Sequence, residues 1–214
     1  MIYSSFRYYY PPRPESVIPR TAIGIFEKMG YIWQPKLNGS CGLIFTNGKE
    51  IKFMSRHKAN FTYNHMQNEE MLKLQRNGWT VLTGEYMNKS KKGADGKVFN
   101  NKFIIFDILV CGGEYLLGST FQSRKEIIDN LYPSTYYDGW ITRVSENIYR
   151  VNNFTENVEA LFNEIIKIDM YEGFVGKKAE GILTMGMHAH NNTGWMVKSR
   201  KTTKNYNDDN GTCN

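Results

Sequence analysis

The amino-acid sequence predicts an α+β domain of mainly antiparallel sheets flanked by helices. Short strand-like apolar runs dominate the 214 residues, many of them joined by tight turns. Asn47-Gly48 lies between two such runs and is a strong hairpin signal. Helical spacing is confined to a few segments, above all Phe121–Leu131 and Phe154–Ile168, so no alternating strand–helix–strand order emerges.

Residues 1–20 read as an extended basic segment. Pro11, Pro12, Pro14 and Pro19 break any helix, and Arg7, Arg13 and Arg20 accompany a Tyr8–Tyr10 run. Thr21 to Met29 fits a short helix ending at Gly30. Strands are expected at Ile32–Leu37, Cys41–Thr46 and Glu50–Ser55, then a helix from Met66 to Arg76 before Gly78. The run 79–87 reads as a strand, 89–97 as a charged flexible loop, and 102–110 as a buried central strand because it is apolar almost throughout. Gly112-Gly113 turns the chain, and the two amphipathic helices follow. Strands resume at 173–178, 182–186 and 194–200. From Lys201 onward the chain is polar, Asn/Asp-rich and expected to be disordered.

The formal net charge of +6 suits contact with a polyanion, although a solvated basic surface explains it equally well. Cys41, Cys111 and Cys213 form no CxxC pair, which argues against a zinc ribbon or a disulfide framework and fits a reducing cytoplasm. No stretch approaches the roughly 20 apolar residues needed to span a bilayer, and no signal-peptide pattern opens the chain.

Chemistry is concentrated in four short segments, 36–42, 82–87, 172–178 and 194–201, which place Lys, Arg or Glu among strand residues or at their turns. Lys198 and Arg200 are two apart on a strand and share one face, so an anion between them would relieve their repulsion. Glu85 and Glu172 are strand-embedded acids of the kind that ligate magnesium. Taken singly, each segment is better explained by a solvated strand face. Together they suggest a metal–triphosphate pocket.

In order and spacing, these segments resemble the motifs of the covalent nucleotidyltransferase superfamily, which contains ATP-dependent DNA ligases, RNA ligases and mRNA capping enzymes. Lys36-Leu37-Asn38-Gly39 resembles the first motif, whose lysine is the nucleophile. Ser55-Arg56 is similar to the arginine segment that contacts ribose and acceptor strand, Gly84-Glu85 to the third motif, and Phe103–Leu109 to the segment whose phenylalanine, here Phe106, stacks on adenine. Residues 172–177 resemble the fourth motif, with Lys177 or Lys178 as its basic residue, and Lys198-Ser199-Arg200 the fifth. The resemblance implies an adenylyltransferase catalytic domain over residues 21–200, with a nucleotidyltransferase (ATP-grasp-like) fold. It further implies ATP contacts by Gln34, Lys36, Gly39, Arg56, Glu85, Phe106, Lys177 and Lys198, a Mg2+ or Mn2+ ion held by Glu85 and Glu172, and catalytic roles for Lys36, Glu172, Lys198 and Arg200.

A free lysine, with a pKa near 10.4, is cationic at neutral pH and no nucleophile. Neighbouring cations would disfavour its charge and depress that pKa toward about 8. Gly39 would permit the turn that exposes the amine. The implied reaction is ligation of 5′-phosphate and 3′-hydroxyl ends, on nicked duplex by a monomer, with DNA favoured over RNA. Arg7, Arg13, Arg20 and Arg56 are the expected nucleic-acid contacts, with stacking by the Tyr8–Tyr10 run. Asn38 and Cys41 depart from the Asp and Arg usual in DNA ligases and lean toward RNA ligases. The 14 residues from Lys201 are too few for the OB domain that usually follows the fifth motif, so none is expected. The arrangement is most similar to compact ligases of phages and large viruses. A capping-type guanylyltransferase and a non-catalytic nucleic-acid-binding relic are the other candidate classes. His188 and His190 lack a third ligand nearby and read as loop residues, His57 as a surface residue, and GADGK (93–97) lacks P-loop spacing.

Overall fold

A computed structural model describes residues 1–63, 66–133, 135–136 and 138–201. The tail expected beyond Lys201, with Cys213, lies outside the described residues. Strand β1 (Arg13–Val17) leads through one 3-10 turn (Arg20–Ala22) into helix α1 (Ile23–Lys28). Next come β2 (Tyr31–Leu37), β3 (Ser40–Thr46), β4 (Ile51–Ser55), α2 (Met66–Leu72), β5 (Thr80–Met87), β6 (Lys91–Lys92), β7 (Val98–Phe99), β8 (Lys102–Cys111) and β9 (Glu114–Tyr115). The chain continues through α3 (Phe121–Leu131), β10 (Thr135–Tyr136), β11 (Ile141–Arg143), β12 (Ile148–Val151), α4 (Val158–Ile165), β13 (Tyr171–Lys178) and β14 (Asn192–Arg200).

Local chemistry accounts for most boundaries. The β3–β4 turn closes because Asn47 Oδ1 accepts the backbone N–H groups of Lys49 and Glu50 while Gly48 takes φ +86°. Helix α3 begins where Thr120 Oγ1 accepts the Ser123 N–H. Helix α4 starts later than its apolar spacing predicts: Asn157 is left-handed, and Phe154 instead exchanges two backbone hydrogen bonds with Trp33. Helix α2 ends before Arg76, whose N–H turns to Thr80 Oγ1 ahead of left-handed Asn77 and Gly78.

Two sheets result. The smaller has the order β1-β14-β13-β2, antiparallel except for the parallel β1–β14 pair. The larger runs β10-β11-β12-β8-β5-β3-β4, with β9 on β8 and a parallel β12–β8 pair. Strand β8, nearly all apolar, lies inside this sheet as its sequence requires. One core packs Trp33, Phe174 and Val197 of the small sheet against α1 and α4. A second lies between the large sheet and helices α2 and α3.

Several expectations are corrected. The N-terminal segment is integral to the fold: Tyr3 and Tyr9 are buried with Leu43, Phe45, Val81 and Leu109 in a third core, and β1 extends the small sheet. Each buried tyrosine contributes roughly 1.5–3 kcal/mol. Residues 182–186 form no strand; only Ile182 bridges, to Thr120, because Leu183 bonds loop residues Ser119 and Gly118. The expected loop at 89–97 contains β6, which pairs with β7 as a hairpin. Strands β10 to β12 have no counterpart in the sequence-based expectation. No helix among the described residues is long and apolar enough to cross a membrane.

Candidate active site

Register builds the site. On the small sheet Lys36 lies opposite Gly173, which lies opposite Arg200; one step along, Gln34 lies opposite Val175, which lies opposite Lys198. Both rows present to one face. Strand β13 carries an extra residue between Tyr171 and Gly173, and that residue is Glu172. The irregularity re-aims its carboxylate, and Lys36 Nζ donates to Glu172 Oε2. Gly173 makes this possible: its φ is +142°, and a Cβ there would lie 2.2 Å from the Ser199 carbonyl oxygen.

The large sheet supplies the opposing wall. Cys41 on β3 pairs with Glu85 on β5, and the Gly39 N–H donates to Glu85 Oε1 at 3.0 Å. Gly39 matters for close approach rather than for a left-handed turn, since a Cβ would stand 2.5 Å from the Tyr86 carbonyl oxygen. Strand β8 is irregular between Ile105 and Asp107, and Phe106 is the unpaired residue there. A cleft of about 520 Å3 separates the two walls.

Cations prevail in it. Lys36, Arg56, Lys177, Lys198 and Arg200 line the cleft against the acids Glu85 and Glu172. Lys177 is buried; its Nζ donates to the Phe106 carbonyl at 2.9 Å and lies 3.7 Å from Asp107 Oδ2. Arg124 grips the same carboxylate through Nε at 2.9 Å and Nη2 at 3.2 Å, so two buried cations share one acid. Burial, with Arg124, depresses the Lys177 ammonium to about 8 against the pull of Asp107. Burial opposes ionisation of Asp107, but Arg124 and Lys177 hold its carboxyl below the usual range. The Lys198 ammonium is lowered by burial and then by Arg200, Arg13, Lys36 and Arg56.

Burial pushes the Glu85 carboxyl up to about 7, reinforced by Glu172 and opposed by Lys36, the Gly39 N–H and Arg56. Burial and Glu85 raise the Cys41 thiol to about 12, which leaves it a neutral, inert wall. Gln34 Oε1 and Arg56 Nε are buried without a hydrogen-bond partner, while Gln34 Nε2 donates to Asn153 Oδ1 at 2.9 Å. Oriented by its neighbours, the Asn38 amide donates to Glu172 Oε1 at 3.1 Å and accepts from Lys91 Nζ at 3.3 Å.

The ten residues from Gln34 to Arg200 to which sequence gave ATP, metal or catalytic roles all line this one cleft. Of the alternatives at the end of β13, Lys177 faces the cleft and Lys178 is exposed. The four expected nucleic-acid arginines divide. Arg13 and Arg56 reach the cleft, but Arg20 is held by Asn163 at 2.6 Å and Glu159 at 3.8 Å, and exposed Arg7 sits beside Tyr3. Tyr9 is core, its hydroxyl bound to the Thr184 carbonyl, so it offers no stacking face. His188 and His190 are exposed, and no group of three His, Cys, Asp or Glu that would suit a metal occurs among the described residues. Sequence reasoning missed the support from Asn38, Asn153 and Arg124; an acid in an apolar strand, Asp107, was the one available signal of a buried cation.

No family model and no curated protein matches the chain by sequence. Solved structures match its fold. The ligase domain of LigD from M. tuberculosis has a TM-score of 0.63 at 16% identity, covering 90% of this chain and 60% of that one. Mycobacterial DNA ligase D complexed with ATP and MES has 0.62 at 16%, covering 91% and 62%. The ATP-dependent DNA ligase of bacteriophage T7 in complex with ATP has 0.54 at 14%, covering 89% and 68%. The chain thus spans less than two thirds of the first two proteins. At 14–16% identity the likeness is one of fold, which this chain shares with these DNA ligase structures.

Proposed function

We propose that this chain is an ATP-dependent polynucleotide ligase that transfers AMP to Lys36 and then to a 5′-phosphate end. The carrying observation is that Lys36, the only lysine ion-paired with a carboxylate of the cleft among the described residues, stands in register with Arg200 and one step from Lys198. Gln34 Oε1 is a buried acceptor without a donor, which suits the exocyclic amine of adenine, and Phe106 offers a ring face beside it. Once it has lost the proton of its ion pair, the Lys36 amine attacks the α-phosphorus; the new P–N bond forms as the bond to the bridging oxygen breaks, and pyrophosphate departs. The amine proton passes to Glu172. Lys198 and Arg200 hold the phosphate oxygens where negative charge grows.

Glu85 and Glu172 are oxygen donors on opposite walls, and the raised Glu85 carboxyl is one that a divalent cation would satisfy; the pair fits Mg2+ or Mn2+. Such an ion would neutralise triphosphate charge. Arg56 and His57 line the cleft and exposed Lys58 follows them, an edge that suits the nucleic-acid backbone. DNA is the favoured strand, supported by the DNA-ligase fold neighbours, and the protein acts as a cytoplasmic monomer on nicked duplex. RNA is the second reading, supported by Asn38, which binds Glu172 where an aspartate would bring a third carboxylate.

Incubation with α-labelled ATP or GTP followed by a denaturing gel tests the proposal. A covalent adduct with ATP, lost in Lys36→Ala and discharged onto 5′-phosphorylated nicked DNA, is expected. A label from GTP indicates a capping-type enzyme, and no label from either indicates a binding relic. Faster discharge onto nicked RNA reverses the strand assignment.

A further inference from the structure

Strand β1 lies in parallel register on β14, with Val17 opposite Lys198 and Ser16 opposite Val197. Arg13 itself lies opposite Asn192, before an irregularity in the pairing, and Pro12, Arg13 and Pro14 line the same cleft as Lys198 and Arg200. The two prolines fix the backbone on either side of Arg13, whose own N–H donates to the Asn191 carbonyl at 3.0 Å. Among the described residues Arg13 forms no ion pair with a carboxylate, in contrast to Arg20 at the far end of the same segment. A half-buried guanidinium therefore faces the cleft alongside two other cations, an arrangement that an anion would relieve.

Position assigns the anion. The sheet order β1-β14-β13-β2 puts the base-binding Gln34 and the nucleophile Lys36 on one edge and Arg13 on the other. Strands are spaced about 4.8 Å apart, so β1 lies roughly 14 Å across the sheet from β2. A nucleotide with its base beside Gln34 and its α-phosphate at Lys36 would pass its remaining phosphates to the cations of β14, where the Arg13 side chain shares the cleft with Lys198. We infer that Arg13 is a catalytic residue of adenylyl transfer that binds the pyrophosphate leaving group. It exchanges no proton; it receives the charge that collects on pyrophosphate as the bond from the α-phosphorus to the bridging oxygen breaks and the P–N bond forms. The inference deepens the proposed function and rests on it.

The experiment separates the two. Wild-type protein is first shown to form the labelled adduct; if it does not, the parent reading fails before Arg13 is tested. Adduct formation is then timed in single turnovers for wild type, Arg13→Ala and Arg13→Lys, and purified adduct is reversed with pyrophosphate or discharged onto nicked duplex. Arg13→Ala is expected to slow adduct formation about tenfold or more and to raise the pyrophosphate needed for reversal similarly, with partial rescue by Arg13→Lys. Discharge of preformed adduct stays within about twofold, because pyrophosphate has already left. Unchanged adduct formation overturns the inference, and so does a defect confined to discharge, which would make Arg13 a nucleic-acid contact. Thermal melting checks folding; if Arg13→Ala is unfolded, Arg13→Gln replaces it under the same criteria.

Discussion

Glu85 offers a test of the cleft that needs no nucleotide. Its carboxyl is held up to about 7 in the folded protein, from an ordinary 4.5, chiefly by burial. That difference corresponds to about 3 kcal/mol favouring the neutral form in the folded state. The sign follows from which state loses its proton first. The unfolded chain ionises near pH 4.5 while the folded protein stays protonated, so the contribution is full below 4.5 and is lost as pH rises to about 7. Glu85→Gln removes this titration yet retains an oxygen for the Gly39 N–H. Urea unfolding of both proteins from about pH 4.5 to 7.5 isolates the effect, because other groups cancel in the comparison. The variant is expected to gain on wild type by about 3 kcal/mol across that range. A constant difference would refute the buried, acid-facing environment assigned to Glu85.

Asp107→Asn leaves Arg124 and Lys177 buried without their shared counter-ion and is expected to cost about 3–5 kcal/mol, read as a lowered denaturation midpoint. Gly173→Ala forces a Cβ against the Ser199 carbonyl in a left-handed backbone; a loss of about 1–3 kcal/mol by urea unfolding and a weakened Lys36 adduct are expected, since Glu172 is displaced. Removal of residues 1–12 strips Tyr3 and Tyr9 from their core and is expected to lower the melting midpoint sharply, whereas a dispensable arm would leave it unchanged.

Much of the cleft was legible because its residue types break strand chemistry. Lys36 and Glu85 are charges in largely apolar strands, and the alternation of Lys198 and Arg200 places both on one face whatever the tertiary structure. Helix α3 was legible to the residue because Thr120 caps it and its apolar spacing is regular. What stayed hidden depends on long-range pairing. The extra residue that aims Glu172 exists only relative to β2, and nothing in the string EGFVGKK marks it. Residues 182–186 have strand composition, but Leu183 bonds the loop residues Gly118 and Ser119 instead of a strand, so composition misled. Strands β10 to β12 are short and interrupted by Asp138 and Gly139, and only the edge of β8 organises them. The Tyr8–Tyr10 run looked like a surface feature because the hydrophobic wall that takes up Tyr9 is distant in sequence.

The path of the N-terminal segment limits how the molecule can breathe. Tyr9 is sunk in the core behind the large sheet, and Arg13 already hydrogen-bonds along the small one, so Tyr10, Pro11 and Pro12 are all the chain that bridges them. With two prolines in three residues, that tie has almost no slack. Separating the two sheets at this edge therefore requires that Tyr9 be drawn from its socket or β1 be unzipped from β14. Any ligand that enters the cleft passes the turns and side chains at its rim.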